Sequence, residues 1–418
     1  MTAPILLSTV GSFGDLFPVL ALAHALEARG QPARLALSPE DAARARSQGL
    51  DAIAFGPTEA EVTRLTGLDR DALARQVFRN PSPILASATY PMLASLAADL
   101  AAEAARARAV AGTLLAMAAP LAAELADRPY VPLLLQPLLL RSALDPPRVP
   151  GFAPPMLRRP DTAAARSWNR LWLRVIDAEF RRRHGRDQAR VRRELGLPPT
   201  RAVPVFGHPA PPVAQLGLWD PVVAPAPADR DVRLTGFPRL APEGLPGPLA
   251  AFLEAGPPPL VVTLGSVSHA LGGDGFWAGA AALARDAGLR AVLLSGDVPL
   301  AEAGDIHATP YAPHDALFPH AAAVLHHGGI GTTGAACLAG IPQLIQPLGA
   351  DQPDNAARIE ALGVGRVIRG PAHARHALQD VLSTDTRAAA RALAARLIPD
   401  GAAQAAEALL QTLDAPDR

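Results

Sequence analysis

Residues 324–342 read Val324-Leu-His-His-Gly-Gly-Ile-Gly-Thr-Thr-Gly-Ala-Ala-Cys-Leu-Ala-Gly-Ile-Pro, a pattern that predicts a strand, a turn and a helix. The apolar run predicts a buried strand, the glycines predict a turn, and a helix is expected to open near Gly331. Free backbone N–H groups at a helix start favour an anion, and glycines let a phosphate approach the backbone. His327 would add a hydrogen bond or a positive charge, and Thr332 a hydroxyl. The segment predicts a diphosphate site in an α/β domain, with a glycine-rich turn that serves packing alone as the alternative.

The composition excludes several classes of chemistry. The chain has 418 residues and zero formal net charge, from 39 basic and 39 acidic residues, and every basic residue is arginine. Zero net charge gives no basic field that would gather nucleic acid, and the lack of lysine removes Schiff-base catalysis and the Walker lysine. The single cysteine, Cys337, excludes an intrachain disulfide and a cysteine-based zinc centre. A metal site at His326 and His327 is disfavoured because neighbouring side chains on a strand point to opposite faces.

Strand and helix patterns alternate in two stretches of the chain. The first stretch covers the residues up to about Gln136, and the second begins at Leu260 after a section rich in proline and glycine. This alternation predicts two parallel, doubly wound sheets. We expect an N-terminal domain over residues 1–238, a linker over 239–258, a second domain over 259–396, and a C-terminal helix over 397–418 that crosses back to the first domain.

No segment has the pattern of a signal peptide or of a membrane span. The N-terminus has no basic region, and the longest apolar run, Val131–Leu140, is about half the length of a spanning helix and contains two prolines. We therefore expect a cytoplasmic protein. The basic segment Arg181–Arg193 is interpreted as a solvated helix face, with a peripheral contact to the inner face of a membrane as the alternative.

A polar loop follows the next short strand, in the sequence Gln346-Pro-Leu-Gly-Ala-Asp-Gln-Pro-Asp-Asn. Ligands of open α/β sheets bind at the carboxyl ends of the strands, so Asp351 and Gln352 are candidates for contact with a sugar. A carboxylate beside an amide suits vicinal hydroxyls. A solvated loop is the alternative.

The first strand leads into Thr9-Val-Gly-Ser-Phe-Gly-Asp-Leu-Phe-Pro. This loop lacks the GxGxxG dinucleotide fingerprint, so an oxidoreductase is disfavoured. We expect residues 11–16 to form a loop and a helix to begin at Pro18. Asp15 is then either a carboxylate base that faces the cleft or a helix cap, and the residues alone leave both open.

The chain resembles the GT-B glycosyltransferases that use nucleotide sugars, the family that includes plant secondary-product, macrolide and sterol glycosyltransferases. The likeness covers almost the whole chain, and within the family it is greatest to the rhamnolipid-type rhamnosyltransferases. It is carried in order by Gly11-Ser-Phe-Gly-Asp-Leu-Phe-Pro, Val191-Arg-Arg-Glu-Leu-Gly-Leu, Thr235-Gly-Phe-Pro, Ala251-Phe-Leu-Glu-Ala-Gly-Pro-Pro-Pro-Leu-Val-Val-Thr-Leu-Gly-Ser, Tyr311-Ala-Pro-His, the segment around His327, and Asp351-Gln-Pro-Asp-Asn-Ala-Ala-Arg. The resemblance implies a GT-B fold, in which two Rossmann-like doubly wound domains face each other across a cleft.

The resemblance also implies roles for particular residues. Asp15 matches the general base that deprotonates the acceptor hydroxyl. The residues implied in donor binding are Ser12, Ser266 as a diphosphate contact, Tyr311 as the aromatic that stacks on the nucleotide base, His327, Gly329, Gly331 and Thr332 in the phosphate turn, and Asp351 and Gln352 on the sugar hydroxyls. No cofactor and no metal are implied, since the nucleotide sugar is a co-substrate.

Two positions depart from the family pattern. Many relatives carry a glutamate for the ribose hydroxyls where this chain has Ala335, which favours a thymidine donor, whose ribose lacks one hydroxyl. His314 stands where plant members carry glutamine, so recognition of the base is not transferable from them.

These inferences predict an inverting hexosyltransferase with a donor of the dTDP-rhamnose or UDP-glucose type. Its acceptor would be hydrophobic, such as a hydroxy-acyl lipid or an aromatic or polyketide aglycone, and would contact the apolar segment Val131–Leu140 with Phe78, Tyr90 and Trp168. The alternatives are an epimerase or hydrolase on the same scaffold and a catalytically silent partner that binds sugar nucleotides.

Overall fold

The computed structural model describes residues 2–148, 155–208, 212–241, 243–265, 268–296, 298, 300 and 304–415. Its strands are β1 (Ile5–Ser8), β2 (Ala33–Leu37), β3 (Asp51–Ala54), β4 (Ala109–Gly112), β5 (Tyr130–Leu134), β6 (Leu216–Gly217), β7 (Arg233–Leu234), β8 (Leu260–Thr263), β9 (Ala291–Leu294), β10 (Ile306–Thr309), β11 (Ala323–His326), β12 (Gln343–Ile345) and β13 (Gly365–Val367).

The helices of the first half are α1 (Phe13–Glu27), α2 (Pro39–Ser47), α3 (Glu59–Thr66), α4 (Arg70–Arg79), α5 (Ser82–Ile84), α6 (Tyr90–Ala104), α7 (Ala118–Leu125) and α8 (Ala163–Glu194). The later helices are α9 (Gly247–Glu254), α10 (Ser268–Asp286), α11 (His314–Leu317), α12 (Ile330–Leu338), α13 (Gln352–Ala361), α14 (Pro371–Leu382), α15 (Thr384–Ala394) and α16 (Gly401–Asp414).

Two parallel sheets organise the chain, and they share one topology. The first has the order β3-β2-β1-β4-β5-β6-β7, and the second β10-β9-β8-β11-β12-β13. Counted within its own half, each sheet runs third-second-first-fourth-fifth-sixth, which is the Rossmann order. The direction of winding reverses between β1 and β4 and again between β8 and β11, and ligands of such sheets bind at this reversal. The expected pair of Rossmann-like doubly wound domains is confirmed.

The strands form because their short apolar runs are buried on both faces. Every residue of β1, β4, β8, β9 and β11 is buried. Sheets covered by helices on both sides have continuous apolar strands rather than alternating ones. The two faces of the first sheet pack into separate clusters, one with α1 and α16 and the other with α6 and α7.

The segments between and after the two sheets pack in specific places. Helix α9 follows the last strand of the first sheet, and its Leu249 is buried with Val261 and Val292 of the second sheet. Helix α16 lies against α1, and its Ala405 and Leu409 join the core of the first half. The domain boundaries at residues 238, 258 and 396 themselves stay predictions.

Helix α1 begins five residues earlier than the sequence predicted. The predicted loop over residues 11–16 was wrong, because Ser12 caps the helix and Pro18 lies inside it. Pro18 is the sixth residue of the helix, and because it has no backbone N–H it gives the carbonyl of Gly14, four residues earlier, no helical hydrogen bond. Asp15 is therefore a helical residue of the first turn.

One helical stretch among the described residues, Ser82–Ala104, is long and apolar enough to cross a membrane by length and composition. Core helices pass the same test, and in this stretch Tyr90, Leu93, Ala97 and Leu100 pack in the core of the first half. The run Val131–Leu140 forms most of β5 and a 3₁₀ turn, Pro137–Leu140. The side chain of Phe78 lies outside what the structure describes.

Candidate active site

The loop after β1 fixes Asp15 through a capping box. The Ser12 N–H donates to Asp15 Oδ2 at 2.9 Å, the Ser12 hydroxyl donates to the same oxygen at 3.2 Å, and the Gly14 N–H donates to Ser12 Oγ at 3.2 Å. Gly11 has φ +145°, and a Cβ there would lie 2.6 Å from Asp15 Cγ. Only glycine leaves room for the carboxylate at this turn. Both hydrogen bonds from Ser12 fall on Oδ2 and neither falls on Oδ1.

The electrostatic setting of Asp15 suits a base. Its side chain is half-buried, and burial raises its pKa from 3.8 to about 6, although the hydrogen bonds from Ser12 oppose this shift. A carboxylate with a pKa near the working pH is both ionised and basic enough to accept a proton. The two interpretations of Asp15 left open by the sequence, base and helix cap, are compatible, since the hydrogen bonds from Ser12 fall on one of its two oxygens.

His326 holds the turn after β11 through hydrogen bonds. The sequence analysis considered this residue only as a metal ligand and disfavoured that role. The Gly328 N–H donates to His326 Nδ1 at 3.1 Å, and the opposite ring nitrogen lies 3.0 Å from Gln343 Oε1. The Gln343 amide in turn donates to Cys337 Sγ at 3.2 Å. Burial lowers the pKa of His326 to about 3, so the ring is neutral and structural. Among the described residues, no cluster of histidine, cysteine and acidic side chains has the arrangement of a metal site.

His327 is not part of the hydrogen bonds around His326, and one of its ring nitrogens has no partner among the described residues. Its ring is buried and forms a hydrogen bond with the backbone of Thr263, while Nδ1 has no partner in the described part of the chain. Burial first, and then the nearby His314, lower the pKa of His327 to about 4. His327 is therefore neutral at pH 7 without a ligand. Of the two roles expected from the sequence, a hydrogen bond or a positive charge, this favours the hydrogen bond.

The start of α12 has the features that the predicted anion site requires. Gly329 is the N-cap and has no side chain to satisfy the first N–H groups of the helix. A Cβ on Gly329 would lie 2.5 Å from His327 Nε2, so a side chain here would displace the ring. The Thr332 side chain is buried in the first turn. A Cβ on Gly331 would lie 3.9 Å from the Cα of Gly14, which brings the starts of α12 and α1 together across the cleft.

Asp351 and Gln352 lie at the start of α13, beside this turn. The Asn355 amide donates to Asp351 Oδ2 at 2.6 Å and to the Gly328 carbonyl at 3.0 Å, so it ties the polar loop to the phosphate turn. Burial, then the nearby charges of Asp15 and Asp354, raise the pKa of Asp351 to about 7. Asp15 and Asp351 are thus close enough across the cleft to influence each other's ionisation.

Gln352 has less freedom than expected for a sugar ligand. Its Oε1 accepts the N–H groups of Leu348 at 2.7 Å and Gly349 at 3.0 Å. The amide nitrogen alone is left to contact a hydroxyl. The sequence analysis did not identify Asn355. It lies four residues after Asp351, about one helical turn, and this i, i+4 spacing is the signal that would have indicated the contact.

The remaining predicted donor contacts differ in position. Ser12 caps α1, and its hydroxyl donates to the Asp15 carboxylate; the predicted contact of Ser12 with the donor stays a prediction. Tyr311 lies just after β10 with 47% of its surface exposed, where a planar ring is free to stack. Ser266 lies outside the described residues. His314 is stacked on Phe318, with 4.6 Å between ring centroids, and burial lowers its pKa to about 4.

Ion pairs join the two halves beside the site. Arg358 of α13 donates to Asp354 Oδ2 at 2.9 Å and to Asp145 Oδ2 at 2.7 Å, and Asp145 belongs to the first half. Arg148 of the same loop lies 3.9 Å from Asp354. These contacts, which the sequence did not indicate, hold α13 against the first half.

The cleft has an apolar rim. Val10 follows β1, Leu115 follows β4, and Leu348 follows β12, and these side chains are 50%, 36% and 38% exposed. Exposed aliphatic side chains around a polar centre are typical of a site for an apolar ligand.

The chain is similar to known proteins over almost its whole length. A family described as "Erythromycin biosynthesis protein CIII-like, C-terminal domain" matches residues 297–410. Glycosyltransferase GtfC of Amycolatopsis orientalis is 35% identical over 98% of this chain and 97% of its own. The vancomycin aglycone glucosyltransferase of the same organism is 34% identical with the same coverage. The structure of the glycosyltransferase VinC in complex with dTDP is 21% identical, with a TM-score of 0.66 over 98% of this chain and 99% of that one, and supports the fold alone.

Proposed function

The chain belongs to the EryCIII-like family of GT-B glycosyltransferases, and from that premise we propose that it moves a hexose from a nucleotide diphosphate sugar to a hydroxyl of a hydrophobic aglycone, with Asp15 as the base. The full-length relatives include an enzyme named for an antibiotic aglycone. Rhamnosyl transfer, the sequence's first preference, gains no support from these relatives, so the sugar stays a prediction.

One observation carries the mechanism. Asp15 lies in the first turn of α1 and the start of α12 has no side-chain cap, and these two helix starts meet where a Cβ on Gly331 would lie 3.9 Å from the Cα of Gly14. A base on one half and an anion site on the other leave the anomeric carbon between them. Attack from the Asp15 side and departure toward α12 invert the configuration at that carbon.

Each group has a defined task in this reaction. Asp15 accepts the proton of the acceptor hydroxyl as its oxygen attacks. The N–H groups at the start of α12 and the ring of His327 stabilise the charge that develops on the departing diphosphate. Because these donors stand where the charge develops, the proposal assigns no metal to the step, and a chelator is expected to leave the rate unchanged.

The donor and acceptor classes follow from the surroundings. The methyl side chain of Ala335 forms no hydrogen bond with a ribose hydroxyl, and VinC, which shares the fold, has a structure in complex with dTDP. We therefore propose a dTDP-hexose as the preferred donor and a UDP-hexose as the second choice. The rim of Val10, Leu115 and Leu348 supports an apolar acceptor.

The proposed location is the cytoplasm, without a membrane contact through Arg181–Arg193. Arg182 and Arg183 pair with Glu179, and these bonds lower the pKa of that carboxyl to about 2. Arg190 pairs within its own helix, and Arg192 is buried against Glu124. Charges satisfied in this way favour a solvated helix face.

The test uses the purified chain with dTDP- and UDP-hexoses and a panel of hydrophobic phenols and polyketide aglycones. Product is detected by mass, and anomeric configuration by NMR. Asp15→Asn is expected to abolish transfer while leaving the binding of dTDP within about twofold, because the base acts only on the acceptor side. Asp400→Asn, which alters the helix-capping aspartate of α16, is the matched control and is expected to keep full activity.

Different outcomes separate the competing functions. Release of free sugar without transfer would indicate a hydrolase, and interconversion of the donor an epimerase. Binding of dTDP without any turnover would indicate a silent partner protein. Activity retained in Asp15→Asn would refute the base assignment.

A further inference from the structure

Positive charge is concentrated in the stretch over residues 155–175, which covers the beginning of α8 and the loop before it. This stretch contains five arginines and a single acidic residue, Asp161, although the whole chain has zero net charge. All five arginines are exposed, and they are Arg158, Arg159, Arg166, Arg170 and Arg174. The stretch therefore presents a local basic surface to solvent.

The beginning of α8 has two apolar stripes, and only one of them is buried. Leu173 and Ile176 face the protein and pack in a small cluster of the first half. The second stripe consists of Trp168, Leu171 and Val175, which are 42%, 50% and 44% exposed. Residues at i, i+3 and i+7 lie on one side of a helix, so these three side chains form a continuous exposed surface. Clustered apolar side chains on a surface mark a site of interaction.

The loop before α8 extends this surface and is fixed against the helix. The Trp168 ring N–H donates to the Pro155 carbonyl at 2.6 Å. The buried Asn169 accepts the Leu157 N–H at 2.7 Å and donates to the Leu157 carbonyl at 2.8 Å, which holds Leu157 beside the helix with 48% of its surface exposed. We call Leu157, Trp168, Leu171 and Val175 the α8 patch. Because its residues are held in place, binding costs little ordering of the chain.

The arginines next to the α8 patch are free of acidic partners. Arg166, Arg170 and Arg174 follow one another at i, i+4 and i+8 and form a stripe along the exposed side of the helix. Arg166 donates to two backbone carbonyls, and Arg170 donates to the Ser167 hydroxyl. Among the described residues, none of the five arginines forms an ion pair with a carboxylate. Their charges are available to an anionic partner.

We propose that the α8 patch and its arginines dock the protein on an anionic phospholipid surface. Tryptophan and aliphatic side chains enter the boundary between headgroups and acyl chains, and arginines bind the phosphates of the headgroups. The long arginine side chains reach the headgroups while their methylene groups stay on the apolar surface. A second copy of the chain fits less well, because a symmetric contact would bring the same unpaired arginines together.

This docking surface is separate from Arg181–Arg193, where the arginines at the other end of α8 pair with acidic residues of the protein. It does not depend on the proposed transfer reaction. A protein docked in this way would work where apolar molecules partition.

The test is flotation of the full-length protein with vesicles of phosphatidylcholine alone and of phosphatidylcholine mixed with phosphatidylglycerol. We expect binding to the anionic vesicles to be at least about tenfold tighter, and to weaken as salt is added. The double variant Arg170→Gln/Arg174→Gln should bind the anionic vesicles about tenfold more weakly, because it removes two of the exposed charges. Trp168→Ser/Leu171→Ser should lose a similar amount, because it removes apolar contacts with the bilayer.

Arg182→Gln/Arg183→Gln is the matched control. It removes the same charge from the same helix at residues that pair with Glu179, and vesicle binding should stay within about twofold of the wild type. Quenching of tryptophan fluorescence by brominated lipid provides a second measurement, since Trp219 and Trp277 are fully buried. Trp168→Phe keeps an apolar ring and should retain binding while reducing this quenching.

Four results would overturn the proposal. They are equal binding to both kinds of vesicle, no binding to either, unchanged binding of Arg170→Gln/Arg174→Gln, and a dimer without vesicle binding that Trp168→Ser/Leu171→Ser dissociates in sedimentation velocity. The last result would assign the α8 patch to a second copy of the chain. None of them bears on the proposed transfer, which is measured as product formed from a nucleotide sugar.

Discussion

Replacing Asp15 with asparagine is expected to abolish transfer and also to stabilise the fold above pH 7. Enclosure at the cleft raises the pKa of Asp15 from 3.8 to about 6. At about 1.36 kcal/mol per pKa unit, the ionised side chain then lowers the free energy of unfolding by about 3 kcal/mol. Asparagine keeps a carbonyl oxygen for the Ser12 N–H and brings no charge into the cleft, so it removes this cost.

The sign of the shift fixes the pH dependence. A carboxyl with a raised folded-state pKa does not destabilise the protein below its unfolded pKa, and its full cost appears once the pH exceeds the folded value. The gain from Asp15→Asn should therefore rise from less than about 1 kcal/mol at pH 4 to about 3 kcal/mol at pH 8. Urea unfolding of both proteins across this range measures it.

A second capping box in the same half provides the control. Thr58 and Glu61 of α3 form the same bonds as Ser12 and Asp15, with the Thr58 N–H donating to Glu61 Oε2 at 2.8 Å. Glu61 is exposed, and the bonds from Thr58 lower its pKa. Glu61→Gln should therefore destabilise the protein at neutral pH, and the difference should vanish as the pH falls through the folded pKa. If Asp15→Asn behaved like Glu61→Gln, loss of the cap would outweigh relief of burial and the reasoning would be wrong.

Three further predictions concern the base and the contact between the halves. Gly11→Ala should lower kcat at least tenfold with unchanged dTDP affinity, because the new Cβ would displace the Asp15 carboxylate. Steady-state kinetics measures kcat and calorimetry measures dTDP binding, and an unchanged kcat would contradict the prediction. The value of kcat/KM in the wild type should rise with pH through about 6 as Asp15 ionises, and a profile flat between about pH 5 and pH 8 would count against Asp15. Arg358→Met should lower the free energy of unfolding by about 3 kcal/mol, since it leaves the buried Asp354 with only the more distant Arg148 as a partner. Asp145→Asn, at a more exposed partner, should cost less, and equal losses in urea unfolding would refute this.

Part of the site was accessible from local sequence alone. The phosphate turn was predicted because an apolar run, glycines and a helix start are adjacent in the chain around His327. The early start of α1 was missed, although Ser12 and Asp15 have the spacing of a capping box, because Pro18 was taken as the helix boundary. Asn355 was missed because its two partners, Asp351 and Gly328, meet only through folding.

The sequence by itself predicted the two α/β halves and the family, and it named Asp15 as the candidate base and the turn around His327 as the candidate phosphate site. These depend on periodicity and on motifs within a few residues, which short-range backbone preferences encode. The tertiary structure alone decided that Asp15 has a raised pKa and that Arg358 meets both Asp354 and Asp145 beside the site. Desolvation and ion pairs between the halves arise from residues far apart in the chain that pack together, so no local pattern contains them.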